Sequence, residues 1–141
     1  MSTMNNTVNL VAEGNIPPFR AVSKVPGGGK QWRVRLYDAF TYHIGVTDGS
    51  VSNFAATMHA TDGEVVSLQN GQWLQLELAG SVAPGAGVGL TGDGRGQVAS
   101  TTLNPTFVFF TALEGGSAGE IIWVAKVSMW NDFVNQVAPP E

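Results

Sequence analysis

The amino-acid sequence predicts an all-β domain. Three observations carry that prediction: apolar residues recur with period two, glycine-centred turn phrases follow one another at short intervals, and helical periodicity is almost absent. At 141 residues the chain is the size of one domain, and a domain of this size buries about 68–70% of its unfolded surface, enough for a real core. A flexible N-terminal arm and a distinct C-terminal tail are expected on either side of a β-rich body. The boundaries fall at residues 1–10 for the arm, 11–128 for the β-rich body and 129–141 for the tail.

The elements follow in chain order. Ser2, Thr3, Asn5, Asn6, Thr7 and Asn9 make a polar, uncharged segment that alternates through Val8 and Leu10 into a strand. It has too few apolar groups to bury itself, but such a segment can add an edge strand to another protein's sheet, where backbone hydrogen bonds supply affinity. Trp32, Val34, Leu36, Phe40, Tyr42, Ile44 and Val46 all fall on even positions, with one break at Asp38. Two strands joined at Asp38–Ala39 are expected. His43 then lies opposite Tyr42 and Ile44, as a solvent-facing or edge histidine. Ala55 to His59 is compatible with a single turn.

Leu74, Leu76 and Leu78 point one way and Gln75 and Glu77 the other, the pattern of a half-buried antiparallel strand. Asn70-Gly71 just before it is a hairpin signal, linking back to Glu64–Leu68. Thr106 to Leu113 carries Phe107, Phe109 and Leu113 on one face and Val108, Phe110 and Ala112 on the other. Being apolar on both faces, it is expected to be central. Ile121 to Val127 is similar, with Lys126 marking its emergence into solvent. Trp130, Phe133, Val134 and Val137 have the i, i+3, i+4, i+7 spacing of a short amphipathic helix, and a loop pinned by aromatics fits them as well. Pro139 and Pro140 end regular structure there.

Charge excludes several functions. Charged residues are 13% of the chain and the net charge is −4, which argues against binding nucleic acid through its phosphates. Arg33 and Arg35, the only close basic pair, share one strand face and fit a solvated surface. Cysteine is absent, so neither disulfides nor thiol chemistry contribute. Met1 to Asn9 lacks the basic start and apolar run of a signal peptide, and the longest apolar stretch, Ile121 to Ala125, is too short to cross a bilayer. A soluble protein made in the cytoplasm, with neither nucleic acid nor membrane as partner, is the expectation.

No motif carries catalysis. Gly87-Val88-Gly89-Leu90-Thr91-Gly92 matches GxGxxG literally but is followed by more glycines and a strand-like Gln97-Val98-Ala99, where a dinucleotide site needs a helix. Gly27-Gly28-Gly29-Lys30 lacks the first glycine of a phosphate loop, which is Lys24 here, and its hydroxyl residue, which is Gln31. His43 and His59, sixteen apart and without cysteine, do not have metal-ligand spacing. A catalytic pairing of His43 with Asp48 is the weaker reading of that histidine. No enzyme activity, metal or cofactor is expected. Trp32, Trp73, Trp123 and Trp130 fit either core and subunit contacts or a sugar-binding platform. The first reading is preferred, with Trp32, Trp73, Trp130 and Phe133 as candidate subunit-interface residues.

Five phrases carry a resemblance: Ile16-Pro17-Pro18-Phe19-Arg20-Ala21-Val22, Ile44-Gly45-Val46-Thr47, Leu78-Ala79-Gly80-Ser81-Val82-Ala83-Pro84-Gly85, Gly92-Asp93-Gly94-Arg95-Gly96-Gln97-Val98 and Ala118-Gly119-Glu120. In order and rough spacing, from about Val11 to Val127, the chain resembles the small tailed-phage proteins that cement or decorate capsids, including those of the lambda head-decoration type. Members of this glycine-rich β family are sometimes mislabelled as phage recombinases. The resemblance implies a compact body of the β-barrel or β-tulip type, forming homotrimers on the exterior of an HK97-type head, bound to the major capsid protein through the N-terminal arm and reinforcing the shell against DNA pressure. Gly45, Gly80, Pro84, Gly85, Asp93, Gly94 and Gly119 match turn positions of that pattern, to which the Asn70-Gly71 signal adds Gly71. The aromatic content and the tail from Met129 to Glu141 depart from it. The rival expectation is a β-sandwich virion module that binds carbohydrate or a receptor.

Overall fold

Short strands separated by glycine turns fold into two sheets. The computed structural model describes residues 9–26, 32–38, 43–99 and 108–127, and among these it contains nine strands and no helix. Strands β1 (Leu10–Ala12), β2 (Ala21–Lys24), β3 (Trp32–Leu36) and β4 (His43–Val46) form one sheet in the order β1-β3-β2-β4. Strands β5 (Trp73–Glu77), β6 (Gly87–Leu90), β7 (Gly96–Val98), β8 (Phe110–Ala112) and β9 (Ile121–Lys126) form the other in the order β5-β9-β8-β6-β7. Every strand pair is antiparallel except β1 with β3. The chain is therefore all-β, one compact domain of two sheets.

The five-stranded sheet curls around its own core. Leu74, Leu76, Leu78, Val88, Leu90, Phe110, Ala112, Ile122 and Val124 fill its inner face, and Ala21, Tyr37 and Val46 close that core from the other sheet. A parallel bridge between Leu78 and Gly96, with the Ala79 N–H donating to the Gly96 carbonyl at 2.7 Å, draws the two edges of the sheet together at one end. A glycine suits the close approach: a Cβ at Gly96 would stand 2.8 Å from Leu76 Cδ2, and the core side chains there would have to shift. The result is a partly closed, barrel-like wall.

A second core lies on the four-stranded sheet. Ala12, Ile16, Val22, Val34, Ala60 and Val66 build it, with Leu10, Leu36 and Leu68 packed around them. The long excursion after β4 supplies Ala60, Val66 and Leu68, and isolated bridges Val11–Val65, Ile16–Ala60 and Thr47–Leu68 hold it down. In β2, Ala21 belongs to the first core and its neighbour Val22 to the second, so that strand is buried on both faces. Leu10, the last residue of the expected arm, belongs to β1 and packs on the second core.

Four sequence expectations need correction. Asn70-Gly71 makes a bend, with Gly71 at φ 102°, but not a hairpin. Val65 and Leu68 bridge to the four-stranded sheet, whereas β5 pairs with β9. The Gln69 side chain occupies the free edge of β5 instead: its amide accepts from the Gln75 N–H at 2.9 Å and donates to the Gln75 carbonyl at 2.7 Å, as a strand neighbour would. Second, His43 faces inward. The β2–β4 register runs Ala21–Val46, Val22–Gly45, then Ser23–His43, skipping Ile44; this bulge turns Ile44 outward and gives His43 the inner place. Third, Gly45 is not a turn residue but lies inside β4, where a Cβ would meet Leu68 Cδ1 at 2.7 Å. Fourth, β9 lies between β5 and β8 yet only Ile122 and Val124 of its large side chains are buried, while Ile121 and Trp123 are exposed. Strand β8 is central as expected, between β9 and β6. Thr106, Phe107, Ala39, the Gly27–Lys30 run and the helix-or-loop segment around Trp130 and Val137 lie outside the described residues.

Candidate interaction surface

The glycine phrases converge on one junction between the sheets. Arg20, from the first phrase, grips Glu77 at the end of β5 with two guanidinium nitrogens, at 3.4 and 3.3 Å, and donates to the Asp93 carbonyl at 3.2 Å. Arg95 holds the Asp93 carboxylate at 3.0 Å. Burial acts to raise the Asp93 carboxyl, but the Thr91 hydroxyl, the Arg95 hydrogen bond and the charges of Arg95 and Arg20 outweigh it and hold the group below the usual carboxylate range. Thr47 ties in the second phrase: its hydroxyl accepts from the Arg20 N–H at 3.0 Å and donates to the Pro17 carbonyl at 3.0 Å. Phe19 takes φ 60°, rare for a non-glycine residue, and this lets its N–H reach Thr47 while its carbonyl accepts from Glu77. Gly94, at φ 79°, gives its carbonyl to the Ala21 N–H at 2.8 Å. Gly119 N–H donates to Leu78, and Leu78 N–H donates to Glu120. These contacts fix architecture and offer no reactive group.

The excursion holds a cluster that resembles catalytic machinery. Asp48, Ser50 and His59 meet, with Ser50 Oγ donating to Asp48 Oδ1 at 2.5 Å. The geometry is wrong for nucleophilic catalysis, which needs the acid on one ring nitrogen and the nucleophile on the other. Here Asp48 and Ser50 both crowd Nδ1, which lies 2.8 Å from the Ser50 carbonyl, and Nε2 accepts from the Ser67 N–H at 3.0 Å. That pattern assigns a neutral ring with its proton on Nδ1, locked as a loop brace. Glu64 works in the same way. Hydrogen bonds from the Thr61 hydroxyl and backbone, then from Ser52, hold its carboxyl below the ordinary range. His43 sits edge-on to Phe109 at 4.6 Å, and burial, followed by the charge of Lys126, pushes it down to about 4. It does not meet Asp48 in any bond or ion pair. Among the described residues no cluster of His, Asp and Glu is placed to hold a metal ion.

The surface is more informative than these clusters. On the outer face of the five-stranded sheet, registers place Trp73 across from Ala125, Gln75 across from Trp123 and Glu77 across from Ile121. The Leu113 N–H donates to the Trp123 carbonyl and adds β8 to the same row. Trp73 is 66% exposed, Leu113 45%, Trp123 44% and Ile121 42%. An ordinary half-buried antiparallel sheet carries polar residues there. Glu114 caps the end of the β8–β9 ladder, accepting from the Trp123 N–H at 2.9 Å.

The other sequence-selected residues are spread out. Trp32 is exposed at the start of β3, in the other sheet, with Lys24 Nζ 5.2 Å from its ring centre. Gly85 and Gly119 take positive φ in turns, Pro84 and Asp93 lie in turns, and Gly80 lies in a bend. Ser2, Thr3, Asn5, Asn6, Thr7, Val8, Trp130 and Phe133 lie outside the described residues. The sequence reading missed Ile121 and Leu113 as surface residues and left Trp123 out of the candidate interface. It also missed Phe54, which is 84% exposed on a loop braced by Ser52 Oγ. The available signal was the Trp and Ile alternation in β9, which reads equally well as a strand buried on both faces.

No protein-family profile matches this sequence, and no curated protein sequence matches it either. Among solved structures, the fold is similar to the N base of the head fiber gp8.5 of bacteriophage phi29, with a TM-score of 0.62 at 16% identity. The likeness covers 85% of this chain and 95% of that one. This chain therefore has the fold of a phage head-fiber base.

Proposed function

We propose that this protein is a structural component of a phage head, a decoration protein that sits on the outer surface of the capsid and cements it. The observation that supports this most is the likeness to the phi29 head-fiber base over nearly the whole of both chains. The glycine phrases support it as well, since each of the five contributes at least one residue to the sheet junction. On this reading the protein acts mechanically. A homotrimer bridges neighbouring major capsid proteins, and its three N-terminal arms raise the effective affinity by linkage without any one strong contact.

The experiment is co-sedimentation with expanded, undecorated heads, using the full chain and a variant lacking Met1 to Asn9. The full chain should saturate the heads and raise their survival on heating in proportion to occupancy, because binding stabilises the state it prefers. The truncated chain should keep its fold and lose binding. No retention of the full chain on heads would overturn the assignment, and equal retention of both proteins would overturn the role of the arm. Specific saccharide binding without head binding would favour the carbohydrate-module reading instead.

A further inference from the structure

We infer that the outer face of the five-stranded sheet, centred on Trp73 and Trp123, is where copies of this chain meet. This deepens the assembly reading above by naming the surface involved, and it rests on that reading only for the trimer.

The two sheets are treated differently by their own chain. The four-stranded sheet has the excursion with Ala60, Val66 and Leu68 folded over it. The five-stranded sheet has its inner face filled, while its outer face shows Trp73, Ile121, Trp123 and Leu113 on three adjacent strands. Their exposed parts amount to on the order of 400 Å² of apolar surface, at the level where contiguous patches on monomers become uncommon. A specific protein interface buries about 800 Å² per partner, of which about 56–65% is apolar. The patch supplies roughly that apolar share, so it matches a whole protein interface and is larger than a site for one small ligand needs.

The chemistry of the border narrows the partner. Glu77 is held by Arg20, Glu114 by the Trp123 N–H, and Glu120 by the Ser117 N–H at 2.7 Å. Each carboxylate already has its partner within the chain, so covering the face does not call for a cationic partner. Trp73 and Trp123 could stack a sugar ring, but Ile121 and Leu113 extend the apolar face beyond what one ring covers, and among the described residues this face carries no Lys or Arg. A second copy of this chain, with 13% charged residues and the same apolar patch, fits that surface.

The test is the mass of the full chain by light scattering over a concentration series from about 1 to 100 μM, for the wild type, W73E/W123E and a control, F54S. The substituted tryptophans lie outside the core, and circular dichroism checks that each variant keeps its β signal. The wild type and F54S should be oligomers. W73E/W123E should fall to monomer mass across the range, a weakening of about 100-fold or more, since tryptophans dominate such contacts. A wild type that is monomeric at the top concentration, or a folded double variant that keeps its mass, would overturn the inference. If W73E/W123E does not fold, W73Q and W123Q are measured singly, and unchanged mass in both overturns it equally. Head binding is scored separately. A monomeric wild type that still coats heads removes this inference and leaves the functional reading intact, and an oligomer that ignores heads does the reverse.

Discussion

Replacing His43 by Phe should remove part of the acid sensitivity of this fold. The ring stands edge-on to Phe109, 4.6 Å centre to centre and inclined by 71°, with Phe110 at 5.4 Å, a setting that a phenyl ring can share. Burial, then the charge of Lys126, lowers its pKa from 6.5 to about 4. The sign follows from proton counting. Between pH about 6.5 and about 4 the unfolded chain binds a proton at this residue and the folded chain does not, so stability falls as pH falls through that window. At about 1.4 kcal/mol per tenfold, the complete effect is about 3 kcal/mol, and about 2 kcal/mol of it is lost by pH 5. Urea unfolding of wild type and His43→Phe, followed by circular dichroism at pH about 7.5, 6 and 5, measures it. The carboxylates held low in the fold, Asp93 and Glu64, also lose stability on acidification, but equally in both proteins, so the difference isolates His43. The variant should gain about 2 kcal/mol relative to wild type between the ends of the series. A difference that stays constant within about 0.5 kcal/mol, or a His43 imidazole, assigned as the resonance missing from the variant, that titrates near 6.5 by NMR, would refute the inward placement of this ring.

Further substitutions probe the junction. Gly94→Ala puts a Cβ 2.4 Å from the Ala21 carbonyl oxygen at φ 79°, so the backbone must move and the Ala21–Gly94 hydrogen bond is lost; about 3 kcal/mol and a drop of about 10 °C in Tm are expected. Gly63→Ala, at φ 86° with open space around it, should cost only about 1 kcal/mol, and equal losses in the two melts would show that the contact at Gly94 is unimportant. Arg20→Met and Glu77→Gln should each cost about 2–4 kcal/mol in urea unfolding. The double variant should cost less than their sum by at least about 1 kcal/mol, and strict additivity would mean that the pair does not couple.

The fold class was legible because period-two alternation and glycine turns are local signals. Leu74, Leu76 and Leu78 read as an inward stripe in the sequence and form one in the structure. Pairing is not local, and there the reading failed. Asn70-Gly71 has the composition of a hairpin turn, yet the chain crosses there from one sheet to the other, and the edge of β5 is satisfied by a side-chain amide that no hairpin rule anticipates. His43 was misplaced for a related reason. A bulge at Ile44 shifts alternation by one residue, and one residue is enough to exchange the faces of a strand. The outer face of β9 was hidden by an ambiguity of chemistry, since Ile121 and Trp123 look alike whether a sheet or a second molecule covers them. Arg20, Glu77 and Asp93 each stood in or beside a quoted phrase, but their meeting depends on the fold as a whole.

That meeting bears on how a β-body of this kind resists being pulled apart. The Arg20–Glu77 and Arg20–Asp93 contacts join residues 57 and 73 positions apart, so no local segment can form them before the two sheets have come together. Non-local contacts of this kind slow folding, because loop closure has to precede them. The core of the five-stranded sheet and the excursion over the other sheet are tied at this junction through backbone bonds of Phe19, Ala21 and Thr47 as well as through the ion pairs. Opening either core without disturbing the junction leaves those ties in place, whereas breaking the junction leaves a largely buried guanidinium without its partner. Ties that form late in folding are absent from much of the transition state, so their strength appears mainly as slow unfolding. Slow unfolding, more than high equilibrium stability, is what the proposed place on a capsid demands, because a subunit held on a particle is under load for long periods and has no chance to be replaced.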